Sequence, residues 1–273
     1  MDEYALLLRQ WIMTYIKPEF HIQPRKSVVI PTHDIDILYR FQSRWQAFRS
    51  IFGRDLLINR SLSQVRDSLM EYRKWRSDHF QDPYIAAIYE LVKVSRQQGL
   101  QSVFFFKALS SQLDAEHFKN PDQTYDVCDP AVKQCVEMIL QNGMSVGLHG
   151  SYGSDINPAK LSQERQNLEH VTGLTVKSAR QHYLRFTCAH YEVEVGSQRA
   201  SVIQQHPSTL QTWQQVGIKE DYTLCYAEQP GFRCGTCHPY PLYDLDSDCP
   251  TDIIEHPLIV MDGSLFDYLK LNH

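Results

Sequence analysis

The stretch SVVIPTHDID, residues 27–36, decides how the chain is read. Ser27-Val28-Val29-Ile30 is a short β-branched run ended by Pro31. It reads as a buried strand, because β-branched side chains suit a pleated surface and Pro cannot extend a central ladder. Thr32-His33-Asp34-Ile35-Asp36 follows without a break. Two carboxylates one residue apart at an apolar strand end are costly unless a cation or hydrogen bonds compensate them. In extended chain Asp34 and Asp36 point to the same side, so one could bind a cation while the other takes a proton. The competing reading makes the pair an Asx-turn, with Asp36 capping the next helix.

Outward from this stretch, strand and helix patterns alternate. Residues 85–98 carry apolar side chains at 85, 88, 91, 92 and 94, a helical stripe closed by Gly99. Residues 102–106 (SVFFF) read as a second strand. Asp129-Pro130 opens a helix reaching about Gln141, before Asn142-Gly143. Residues 144–148 (MSVGL) read as a third strand, Asn157-Pro158 opens a helix stopped by Gly173, and residues 175–178 read as a fourth strand. The alternation predicts α/β architecture with parallel strands and chemistry at their C-terminal ends, in an open sheet or a barrel. Residues 37–80 interrupt the rhythm with eight arginines among aromatic residues. They are expected to form an inserted helical subdomain, whose arginines either lie along a solvated face or grip an anionic ligand.

Later strand ends add to the first. The third runs into Leu148-His149-Gly150-Ser151-Tyr152, and His is the commonest metal ligand. The fourth runs into Arg180-Gln181-His182-Tyr183-Leu184-Arg185.

Composition excludes several classes. Lys and Arg number 27 against 32 Asp and Glu, a net charge of −5, which argues against general nucleic-acid binding. No apolar run is long enough for a membrane span. The N-terminal MDEYALLLRQWIMTYIKPEF starts acidic and lacks the basic region and cleavage site of a signal peptide, so a cytoplasmic protein is expected. Seven cysteines in a chain this long do not fit a disulfide scaffold. Most are expected to be reduced, half-buried small hydrophobes.

Together these residues resemble the polysaccharide deacetylases of the NodB type, carbohydrate esterase family 4. Thr32-His33-Asp34-Ile35-Asp36 matches the D-x-D variant of that family's first motif, and Ser102-Val103-Phe104-Phe105 echoes its A-T-F-F strand. Gly147-Leu148-His149-Gly150-Ser151 matches half of G-x-H-[ST]-x-x-H, and Arg180-Gln181-His182-Tyr183 approximates R-x-P-[YW]. The likeness is stronger to a divergent subgroup with T-H-D-[VI]-D, L-H-x-S-Y and R-Q-H-Y-L-R motifs. In that subgroup the stretch from Gly231 to Tyr240 recurs as G-F-R-x-G-T-x-x-P-[FY].

The resemblance implies one catalytic domain over residues 1–273. Its fold would be an incomplete (β/α)7 barrel with the helical insertion at 37–80, and the chain would stop short of the last strand. It implies a metal-dependent hydrolase that removes an N-acetyl group from a carbohydrate or glycan precursor. Asp36 and His149 would hold a divalent metal, most often zinc. Asp34 would act as base, Arg180 would pair with Asp34, and Tyr183 would shape the pocket or offer a backbone N–H to the oxyanion. The family's second metal His falls where this chain has Gly153. His182, standing where the family has Pro, is the candidate for the missing ligand, and His33 is the second choice. The general acid comes from an L-x-H motif in the family. Residues 253–258 hold His256 without that spelling, so a non-catalytic carbohydrate-binding relative is the alternative.

Cys234-Gly235-Thr236-Cys237-His238 also spells C-x-x-C-H, the pattern of c-type haem attachment. It lies inside the G-F-R-x-G-T stretch, which accounts for Gly235 and Thr236 without haem. A redox pair would need an exposed thiolate at a helix N-terminus. A zinc knuckle would need a second ligand pair, and Cys225 and Cys249 are wrongly spaced for one. The expected role is an ordinary loop with incidental thiols. No phosphate-cradling G-x-G-x-x-G and no G-x-S-x-G nucleophile elbow is present.

Overall fold

The computed structural model describes residues 2–16, 28–114, 122–188, 190–195, 198–203 and 206–271. Along the chain come α1 (Asp2–Trp11), β1 (Thr32–Ile35), α2 (Arg44–Phe48) with a π-helical continuation (Arg49–Ile58), α3 (Leu62–Ser77), α4 (Pro83–Gln97), β2 (Val103–Phe106), α5 (Pro130–Gln141), β3 (Ser145–Gly150) and α6 (Pro158–Thr172). They are followed by β4 (Ser178–Gln181), β5 (His190–Val195), β6 (Gln198–Ile203), α7 (Thr209–Val216), β7 (Glu220–Asp221), β8 (Tyr240–Asp244) and β9 (Cys249–Glu255). The chain divides into two compact units. The first comprises Ile30–Ser151 and Ser162–Val176. The second comprises Met1–Val29, Tyr152–Leu161 and Lys177–His273.

The fold is α/β with mostly parallel strands. In the first unit β1, β2 and β3 lie side by side and parallel, with Asp34 opposite Phe105 and Phe106 opposite Leu148. In the second unit β4, β7 and β9 are parallel in that order, and β8 runs antiparallel beside β9. These seven strands match the number of a (β/α)7 plan. β5 and β6 form a separate antiparallel hairpin. Among the described residues no helix is long and apolar enough to cross a membrane.

Two strands sit later than the sequence pattern suggests. The first covers Thr32–Ile35, not residues 27–30, of which Ser27 lies outside the described residues. Pro31 has no N–H to give a ladder, but its carbonyl accepts from Val103 N at 3.0 Å, so pairing with β2 starts there. Val28 and Val29 are exposed instead of buried. The fourth strand covers Ser178–Gln181, not 175–178. Glu169 on α6 accepts from Val176 N at 2.9 Å, which fixes the approach as a loop before pairing with β7 begins at Ser178. Both shifts carry part of each motif, Thr32 to Ile35 and Arg180 with Gln181, into the strands themselves.

The helices follow their caps. Asp129 caps α5, where Pro130 opens the helix. Ser43 caps α2, so Asp36 is not a helix cap. Phe104, Phe105 and Phe106 are fully buried, each contributing about 1.5–3 kcal/mol of apolar burial. α4 packs on α5, and α5 packs on β3.

Residues 37–80 are largely helical, as expected. Arg40 is not spread on a solvated face. It pairs with Glu71, donates to Ser68 Oγ at 2.7 Å and lies 3.8 Å from the buried Asp55. The described cysteines form no disulfide. Cys135 and Cys225 are buried, whereas Cys188, Cys237 and Cys249 are exposed rather than half-buried.

Asp82 ties the insertion to the helices behind it. Fully buried, it caps α4 through Tyr84 N at 2.9 Å and accepts from Arg40 N at 2.9 Å and Phe41 N at 3.2 Å. Asp82→Ala removes a cap and strands two further donors. Urea denaturation should show a loss of about 2–4 kcal/mol, with Asp82→Asn losing less because it keeps an acceptor oxygen.

Candidate functional site

In the first unit three strands deliver their chemistry at the same end. β1 presents Asp34 and, one residue past its end, Asp36. β3 presents His149, and Lys107 directly follows β2. His149 Nε2 lies 3.4 Å from Asp36 Oδ1 and 3.9 Å from Asp34 Oδ2. Lys107 Nζ lies 3.1 Å from the same Asp36 Oδ1 and donates to the carbonyl of Asp122 at 2.7 Å. His149 and Lys107 are each 2 % exposed, while Asp34 and Asp36 reach solvent at 30 % and 45 %. Burial pushes the Asp36 carboxyl up, but the His149 imidazole and then the Lys107 ammonium outweigh it and hold the group well below the ordinary carboxylate range.

The supports of this cluster are buried as well. Tyr125 donates its hydroxyl to Ile35 O at 2.8 Å and accepts from Lys107 N at 2.8 Å. The Thr124 hydroxyl donates to Asp36 O. From α6, the fully buried Glu164 accepts from Ser151 N at 3.0 Å and from the Ser151 hydroxyl, and Asn167 Nδ2 donates to Ala108 O at 3.0 Å. These bonds fix the backbone just past β3 and β2. His33 faces away from the carboxylates along the strand and packs on Phe104, tilted by 34°, at 4.6 Å between ring centroids.

The second unit carries the remaining residues of interest at the C-terminal ends of its own strands. Arg180 is 3 % exposed, and its Nε donates to Tyr222 O at 2.9 Å. Gln181 donates to Ser154 Oγ at 3.0 Å. His182 follows β4 and packs on the Tyr183 ring at 4.0 Å. Tyr183 and Leu184 both adopt left-handed backbone (φ 59° and 51°), an uncommon conformation for non-glycine residues that concentrates at functional turns. Tyr183 is 68 % exposed and meets Tyr152 edge-on at 6.0 Å. Arg185 covers the Tyr152 ring at 4.7 Å and pairs with the buried Asp155 at 3.3 Å, which holds this turn.

The first unit therefore brings together Asp34, Asp36 and His149, while in the second His182 packs on Tyr183 and Arg180 is engaged by the Tyr222 carbonyl. The sequence reading overlooked Lys107. Its signal was present: a lysine directly after the apolar run VFFF, at the same end as the two carboxylates. The reading also passed over Asp221 and Glu255, which stand opposite each other on β7 and β9, both fully buried. Asp221 accepts from Thr223 N at 3.0 Å, and Glu255 accepts from Leu224 N at 3.2 Å.

No protein-family model matches the chain, and no curated protein matches it. Among solved structures, the chain is similar to a protein from Mycobacterium smegmatis provisionally described as a polysaccharide deacetylase. The TM-score is 0.42 at 13 % identity, covering 88 % of this chain and 61 % of that one. It is also similar to a pseudoenzyme of carbohydrate esterase family 4 from Bacillus anthracis, with TM-score 0.23 and 13 % identity over 34 % of this chain and 30 % of that one. A glycoside hydrolase family 57 branching enzyme from Thermococcus kodakaraensis gives TM-score 0.33 and 11 % identity over 86 % of this chain and 47 % of that one. The chain thus spans about three-fifths of the length of the mycobacterial protein.

The Asp221–Glu255 pair makes stability depend on pH. Burial raises both carboxyls, and the adjacent Asp221 charge adds to the rise at Glu255, pushing it up to about 11 from 4.5. The folded state therefore keeps a proton that the unfolded state releases, so stability falls as pH rises from about 4.5 toward 11. Glu255→Gln should flatten this slope and raise the thermal midpoint above wild type in alkaline buffer. A variant with an unchanged slope would mean that Glu255 is ionised in the fold.

Proposed function

We propose that the chain is a metal-dependent hydrolase that removes an N-acetyl group from a carbohydrate or glycan precursor. A cytoplasmic setting is part of this reading. The observation that supports it most is the convergence of Asp34 and Asp36 from the end of β1 and His149 from β3 at one end of the parallel strands. Asp36 Oδ1 and His149 Nε2 are 3.4 Å apart, close to the roughly 3.3 Å that separates oxygen and nitrogen ligands on a tetrahedral zinc ion. One carboxylate and one imidazole are a fitting donor pair. On the family resemblance alone, His182 is the candidate for the third ligand.

When bound, the metal would polarise the amide carbonyl and lower the pKa of its water. The other roles belong to the chain. Asp34 stands 3.9 Å from His149 and is partly open to solvent, as a base that must reach a water requires. On the family resemblance, Arg180 would keep Asp34 ionised. Tyr183, exposed on its strained turn, is assigned to the substrate wall or to the oxyanion through its backbone N–H.

Lys107 favours a second reading. Its buried ammonium already sits 3.1 Å from the oxygen that the metal would use. A lysine there can neutralise Asp36 without an ion, and the chain would then bind an N-acetylated sugar without turning it over.

Elemental analysis of the full chain, combined with acetate release from N-acetylated oligosaccharides, separates the two. The first reading expects one divalent equivalent that disappears in Asp36→Asn and in His149→Ala, and acetate release at least about 10²-fold slower in Asp34→Asn. Wild type that leaves this equivalent empty with zinc supplied, while Lys107→Met takes it up, would overturn the first reading in favour of the second.

A further inference from the structure

The C-x-x-C-H loop of the second unit has a partner that its sequence spacing does not announce. Asp2, at the start of α1, lies against it. Asp2 Oδ2 accepts from Thr236 Oγ1 at 3.0 Å and from Cys237 N at 3.3 Å, and lies 3.8 Å from Cys237 Sγ. One ligand atom each from Asp2, Cys237 and His238 falls within 4.8 Å of the others. On a tetrahedral zinc ion, sulfur and oxygen ligands stand about 3.6 Å apart. We propose that Asp2, Cys237 and His238 form a second divalent metal site, with zinc as its natural occupant, independent of Asp36 and His149.

Thiolate, imidazole and carboxylate together are a donor set for zinc rather than for magnesium or calcium, which take oxygen ligands. The loop is already shaped for the task. Gly235 adopts φ +71°, and its N–H donates to Phe232 O at 2.9 Å. Thr236 Oγ1 accepts from His238 N at 3.0 Å while donating to Asp2. Such a hydroxyl orients a ligand carboxylate in the way outer-shell groups do. The Thr236 hydroxyl also holds the Asp2 carboxyl below its ordinary range, against a small opposing effect of burial. Cys234 is not among the three. It lies against Tyr240, so the two cysteines of the motif serve different surroundings.

The metal replaces the thiol proton between Cys237 Sγ and Asp2. The Cys237 S–H bond breaks, the sulfur–metal bond forms with the sulfur's electron pair, and the proton leaves to solvent. Three protein ligands leave the fourth position to water. The consequence falls on α1, which has no buried residue and exposes Leu6, Leu7, Leu8 and Trp11. A bound ion would staple the first turn of that helix to the loop at 236–238.

Cobalt(II) titration of the metal-stripped full chain tests this, read by the thiolate-to-cobalt charge-transfer band in the near ultraviolet. The band should develop in wild type and in the Asp36→Asn/His149→Ala double variant, so this test is separate from that of the hydrolase. It should vanish in Cys237→Ser, and affinity should fall at least tenfold in Asp2→Asn and in His238→Ala. Backbone amides of residues 2–11 should exchange more slowly with zinc bound. No thiolate band in wild type, a band surviving Cys237→Ser, or wild-type affinity in both Asp2→Asn and His238→Ala would each overturn the proposal.

Discussion

A buried ammonium organises the first unit. Lys107 is almost wholly enclosed, and its charge is compensated by the Asp36 carboxylate and the Asp122 carbonyl. A charge placed there without those partners would be costly, and breaking a buried pair by removing one partner typically costs about 3–5 kcal/mol. Lys107 therefore fixes more than one side chain. Its backbone N–H engages Tyr125, whose hydroxyl reaches the end of β1, and its ammonium draws the chain at residue 122 to the same place. The position of Asp36 rests on this arrangement, while His149 is placed by β3 itself.

Much of this architecture was legible in the sequence. Asp129-Pro130 announces α5, because an Asp cap followed by Pro suits a first helical turn, and the apolar stripe from residue 85 gives α4, which begins two residues earlier at Pro83. The apolar run VFFF gives β2 directly. The edges of β1 and β4 were not legible, because strand limits depend on which neighbour offers its hydrogen bonds. Val28 and Val29 have strong β propensity yet are exposed, while the polar Thr32 and His33 are in the ladder.

The candidate site divides along the same line. Asp34, Asp36 and His149 could be read from local pattern, since each sits at or beside the end of a strand. Lys107 could have been read in the same way. Glu255 could not, since a single Glu in the run PTDIIE gives no sign that its cross-strand neighbour is another buried acid. Asp2 is the extreme case. It lies more than 200 residues from Cys237 along the chain, and only the folded second unit makes them neighbours.

Glu164 and Asn167, three positions apart on one face of α6, hold the backbone beyond β3 and beyond β2 respectively. That spacing limits how this segment can evolve. Deleting or inserting a single residue between positions 164 and 167 would turn one of the two side chains by about 100° around the helix axis. One strand end would then lose its tether while the other kept it. Substitutions on the outer face of α6 are free of this restriction, so the segment should accept exchanges far more readily than changes of length.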